Sequence, residues 1–121
     1  MAVSLFEKYG GFASISKIVM SFYDKVLESD LTGPYFDDID MRRLVDHQTK
    51  FVASVMGGPA SYADDVLRRV HAPYSIDRAA FDEMTRLLRE TLVEYEFQPA
   101  DIDTVVDHIR SKSGLVIAHQ P

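Results

Sequence analysis

The residue in this chain best placed for metal chemistry is His71. It ends a short apolar and basic run, Val66-Leu67-Arg68-Arg69-Val70-His71, and Ala72-Pro73 follow at once. Pro73 has no N–H to give to a helix and turns Ala72 away from helical dihedrals. The spacing therefore predicts a helix through Val66 that stops close to His71. Leu67, four residues before His71, shares its helix face, and Val70 borders that face. An imidazole is thus offered at the rim of an apolar surface. Such a group either binds a metal through a neutral ring nitrogen or hydrogen-bonds to a carbonyl, and for a lone histidine the second is commoner.

Three further residues break the rule that a core-facing stripe is apolar. In the segment that begins at Met41, Gln48 follows Leu44 by four positions and precedes Phe51 by three, in the middle of the stripe. His47 borders the same face. In the preceding helical segment Tyr23 comes four after Val19 and four before Leu27. Burying an amide or a phenol without a partner costs roughly 1–3 kcal/mol, so each of these groups needs one. Singly, each is accommodated by a bond to the backbone or to a neighbour, or by rotation to the surface. Three such residues converging on one cavity mark a place where local rules yield to function.

A cavity with the His71 imidazole on one wall, and a phenol, an amide and the His47 imidazole facing it, suits a planar apolar cofactor. A haem iron with a diatomic ligand is the chemistry that uses such a set. Zinc competes for histidine but takes three or four N, S or O ligands. His47, His71, His108 and His119 show none of the close spacings of a zinc site. Hydrolytic and phosphoryl-transfer motifs are missing too: no nucleophile elbow, phosphate loop or HExxH occurs.

The elements that must position these residues are helical throughout. Ser4-Leu5-Phe6-Glu7 has capping-box spacing, and Gly10-Gly11 stops the first short helix. Ile15, Ile18, Val19, Phe22, Val26 and Leu27 form the stripe of the next. Leu31 to Asp40 holds Gly33, Pro34 and several aspartates, and reads as a turn carrying Tyr35 and Phe36. Asp40 caps a helix with Met41, Leu44, Val45, Phe51, Val52, Val55 and Met56 inward, ended by Gly57-Gly58-Pro59. Asp77 caps another, with Phe81, Met84, Leu87, Leu88 and Leu92 inward. Pro99 starts the last, where Ile102, Val105, Val106, Ile109 and Val116 face in. No segment alternates with period two, so the fold class is all-α.

The chain has 121 residues, which predicts one domain over residues 1–121. Hydrophobic residues at 46% and charged residues at 26% argue against disorder. A net charge of −6 gives no electrostatic case for nucleic acid or an anionic membrane. The absence of cysteine removes disulfides, thiolate catalysis and sulfur-ligated clusters. No apolar run reaches the ~18 residues of a membrane span and no leader pattern is visible, so a cytoplasmic protein is expected.

Taken in order, these landmarks resemble the group I truncated haemoglobins, short globins with two helices packed over two. The resemblance runs from about Leu5 to Val116. It rests on Gly10-Gly11, Phe22-Tyr23 with Val26-Leu27, Tyr35-Phe36, Asp40-Met41, His47-Gln48, Phe51, Gly57-Gly58-Pro59 with Tyr62, Val70-His71, Ile76 and Phe81. It implies haem b as cofactor, His71 as the proximal iron ligand and Phe36 as an aromatic wedge against the haem. Tyr23 becomes the main hydrogen-bond donor to bound ligand and Gln48 its helper. Leu44 takes the distal position and Phe51 joins the lining. His47 matches a histidine that in some cyanobacterial members is the sixth iron ligand. Ile76 and Phe81 would line the proximal side, and Arg68 would meet a haem propionate. Two departures stand out: Leu67 replaces a frequent methionine, and Pro73 follows the ligand by only two residues. The polar extension that some nitric-oxide-detoxifying members carry before the first helix is missing.

The function this implies is reversible binding of oxygen, nitric oxide and carbon monoxide by a monomer or weak dimer. The alternative is a haem enzyme, a nitric oxide dioxygenase or weak peroxidase, which would need a reductase partner. A haem-free helical interaction module is the third reading, and it leaves Tyr23, Gln48 and His71 without a role.

Overall fold

The computed structural model of the chain describes residues 4–58 and 76–113. All regular structure among them is helical: α1 Leu5–Lys8, α2 Gly11–Glu28, a 3-10 turn at Gly33–Phe36, α3 Met41–Val55, α4 Arg78–Glu94 and α5 Pro99–Ser111. The ends follow the sequence signals. The Ser4 hydroxyl accepts from the Glu7 amide at the start of α1, and Gly10 enters α2 at φ 100°, a left-handed value that favours glycine. The Asp40 carboxylate accepts from the Arg43 amide, and Asp77 does the same for Ala80. His71, Arg68, Leu67, Tyr62, Pro73, Gly114 and Val116 lie outside the described residues.

Helices α2 and α3 pack on one another, as do α4 and α5, while α2 also rests on α4 and α3 touches α5. The core between them is continuous and includes Ile15, Ile18, Val26, Ala53, Leu92, Val105 and Val106, each with almost no exposure. Burial of side chains of the leucine and valine class stabilises by roughly 1.5–3 kcal/mol each, and this cluster fixes the angle between the layers. Among the described residues no helix is long and apolar enough to cross a membrane.

The stripes differ from the sequence pattern in two places. On α2 the inward residue is Tyr23, while Leu27 is 44% exposed. The helix turns its buried arc through Ile15, Ile18, Val19, Tyr23 and Val26, and Leu27 falls one step beyond it. On α3 the fully buried face runs through Thr49, Val52, Ala53 and Met56, so Thr49, not Gln48, is its central polar residue. A threonine is tolerated there because its hydroxyl donates to the Val45 carbonyl at 2.7 Å. Phe22, Met84 and Ile109 are half-buried.

The connection after α2 is closed tightly. Thr32 is buried and its hydroxyl donates to the Val26 carbonyl at 2.7 Å. A Cβ on Gly33 would meet the Leu27 carbonyl oxygen at 2.6 Å, so only glycine lets the turn come this close. The turn thereby holds Tyr35 and Phe36 against the helices.

The N-terminal helix is pinned to α5 by a polar cluster. Lys8 Nζ donates to Asp101 Oδ2 at 2.6 Å and to Gln98 Oε1 at 2.9 Å, and the Tyr9 hydroxyl donates to the same Asp101 oxygen at 2.5 Å. The Tyr9 ring stacks on Phe97 with centroids 3.6 Å apart. Hydrogen bonds from Lys8, then from Tyr9, hold the Asp101 carboxyl below the usual carboxylate range. A carboxyl depressed in the folded state contributes stability above its unfolded value of about 3.9 and loses it as pH falls through the folded value. Asp101→Asn is accordingly expected to lower the thermal midpoint at neutral pH. That difference should close as the pH drops below the carboxylate range; thermal melts of both proteins from neutral to acid pH read it. A gap that stays constant with pH would refute the ionic origin.

Candidate functional site

Tyr23 is the polar residue the fold buries most deliberately. It is 8% exposed, with Phe22 edge-on at 4.9 Å between centroids and Phe36 edge-on at 5.6 Å. Phe36 reaches it from the 3-10 turn, so the tight closure at Gly33 sets the position of one ring against the other. Burial pushes the phenol well above its ordinary pKa. A phenol already keeps its proton at physiological pH, and this shift takes it further from ionising, so the hydroxyl is available as a donor. No hydrogen bond among the described residues uses it.

Beside it, α3 presents a second face. Met41, Leu44, Gln48, Phe51 and Val55 recur at alternating spacings of three and four, which puts them in one row, and all five are half-buried. Leu44, Phe51 and Phe36 pack against the core cluster that contains Tyr23. The Gln48 amide has no hydrogen-bond partner among the described residues. His47, one residue from Gln48, is exposed.

Ile76 and Phe81 belong to a smaller, separate apolar cluster with Ala80, against which Tyr35 and Ile109 pack. The adjacent Tyr35 and Phe36 thus reach different clusters from one turn. Of the residues singled out from sequence, Tyr23, Phe36, Leu44 and Phe51 are brought together in one cluster, with Gln48 in the same row. Ile76 and Phe81 stand apart from them. Met41 and Val55 complete the α3 row, and their three-four spacing with Leu44 was the signal for it.

The bacterial-like globin family matches residues 4–116 of the chain. A group 1 truncated haemoglobin of Tetrahymena thermophila is 30% identical over 116 residues, covering 96% of this chain and 89% of the relative. The chain belongs to the group 1 truncated haemoglobins. The truncated haemoglobin GlbN of a Synechocystis species is also 30% identical, over 75% of this chain and 77% of that protein. Among solved structures, the Fe(III) form of Tetrahymena pyriformis truncated haemoglobin superposes with a TM-score of 0.87 at 26% identity, covering 97% of this chain and all of that one. The 2/2 haemoglobin of a Synechococcus species, solved in the cyanomet state with covalently attached haem, gives 0.82 at 26% identity, over 94% and 98% of the two chains.

Truncated haemoglobins hold haem with its iron, and this truncated haemoglobin has side chains that fit the group. The half-buried row on α3 offers apolar area to a flat ring, the second cluster offers more, and Tyr23 offers a buried phenol. The two-over-two arrangement implied by the resemblance is the one found.

Proposed function

We propose that this truncated haemoglobin binds oxygen, nitric oxide and carbon monoxide reversibly at an iron held by His71. The observation that carries the reading is Tyr23: a buried phenol bonded to no described residue. Bound haem supplies a ferrous iron to which a diatomic ligand coordinates. The chain would supply the rest. Neutral imidazole from His71 would hold the iron, with its other ring nitrogen donating to a backbone carbonyl. Leu44, Phe51 and Phe36 would exclude water from the ligand's side, while Ile76 and Phe81 would support the opposite side and Arg68 would meet a propionate. Tyr23 would donate to the ligand's partial negative charge, with Gln48 as the second donor.

Oxygen titration of the reduced, haem-loaded protein tests this reading. Reversible, saturable spectral changes with oxygen and with carbon monoxide are expected. Failure to bind either gas would overturn it.

His47 is exposed on α3, and its part in this reading is at the pocket rim. Bringing it to iron would require α3 to shift, and oxygen would then compete with an internal ligand. The deoxygenated ferrous protein is expected to give a five-coordinate spectrum. A low-spin six-coordinate spectrum that becomes five-coordinate in His47→Ala would assign His47 to the iron instead.

A further inference from the structure

The outer face of α2 is apolar. Phe12, Met20 and Leu27 are 42%, 54% and 44% exposed, and Leu31, just past the helix end, is 54% exposed. With Ala13 and Ser16 between them they form a seam at the three- and four-residue steps that helix pairs use. Met41 and Val45 of α3 border the seam, and the two helices enclose a groove of about 750 Å³ with Tyr23 on its inner side. Asp46 and Lys50 also line it. By helical spacing Asp46 stands on the opposite side of α3 from Leu44 and Val55, so this groove meets the α3 row described above only at Met41. Contiguous apolar surface of this kind, rimmed by charges, marks an interface.

The charges select the occupant. Along α2 the seam is bordered by Lys17, Asp24 and Glu28, of which Asp24 also lines the groove, and none of them enters an ion pair among the described residues. We propose that this face pairs with a second copy of the chain, α2 against α2, antiparallel about a two-fold axis at Met20. Such an axis brings together residues equally distant from Met20 on either side. Ala13 then lies opposite Leu27, so a small residue receives a large one, and Met20 meets Met20. Lys17 falls beside Asp24 of the second copy, and symmetry makes that contact twice. The seam is thus complementary to itself in the antiparallel direction.

Sedimentation of the haem-loaded full chain across a concentration series tests the pairing. A monomer–dimer equilibrium is expected, and Met20→Lys should weaken it by at least ~10-fold because the two charges would meet on the axis. Lys17→Glu and Asp24→Lys should each weaken it, and the doubly substituted protein, with the charges exchanged, should recover the parent's association. All three positions are on the helix exterior, and circular dichroism confirms that the fold is retained. A monomer at every concentration would overturn the proposal, as would a dimer indifferent to Met20→Lys. Failure of the exchanged pair to restore association would overturn it too.

Discussion

Replacing His71 with Gly is expected to yield a folded protein that cannot keep its haem. An imidazole ligand contributes the one protein–iron bond in the proposed site. Groups that merely orient a metal ligand cost 10–100-fold in affinity when removed, so loss of the ligand itself should cost more than about 100-fold. The described helices share an extensive core around Ile15, Val26, Leu92 and Val105, so the far-ultraviolet dichroism should change little. Added imidazole should restore haem retention by filling the space the side chain leaves. The measurement is the ratio of haem to protein after gel filtration, with and without imidazole. Retention equal to the parent's would exclude His71 as the ligand.

The second large effect belongs to Tyr23. A diatomic ligand that gains partial negative charge is held by a hydrogen bond from a buried phenol, worth roughly 1–3 kcal/mol in an apolar setting. Each 1.4 kcal/mol is about tenfold in a rate or equilibrium constant. Tyr23→Phe keeps the ring between Phe22 and Phe36 and removes only the hydroxyl. It should raise the oxygen dissociation rate by about tenfold or more. Gln48→Leu should act in the same direction with a smaller effect, since Gln48 is only half-buried where Tyr23 is buried. Carbon monoxide, less polarised, should respond weakly to both. Stopped-flow displacement of oxygen by carbon monoxide gives these rates. Identical oxygen release from Tyr23→Phe and the parent would remove the phenol from the account.

Much of this was legible in the sequence because caps and breakers act locally. Ser4, Asp40 and Asp77 cap the helices they precede, and Gly10-Gly11 and Gly57 end or separate segments, since each rule concerns dihedrals or orphan amides within a few residues. The inward face of a helix is set by its neighbours, and there periodicity was less exact. Leu27 fits the α2 stripe by hydropathy, yet the packing of α2 on α3 and α4 turns Tyr23 inward and leaves Leu27 outside. Thr49 shows the converse: a hydroxyl that satisfies itself on the Val45 carbonyl can occupy a core position that hydropathy assigns elsewhere. The contact of Phe36 with Tyr23 depends on Gly33 closing against the Leu27 carbonyl, a tertiary approach that no spacing rule contains. Family membership rests on the order of many weak landmarks over residues 4–116, of which none alone is specific.

The central claim is that this chain carries haem iron on a single proximal imidazole. The absorption spectrum of the purified protein, ferric and then ferrous without added ligand, tests it most directly. An intense haem band at one haem per chain is predicted, with a five-coordinate ferrous spectrum that changes on adding oxygen or carbon monoxide. A protein that shows no haem band after purification, and gains none when haem is added, would contradict it.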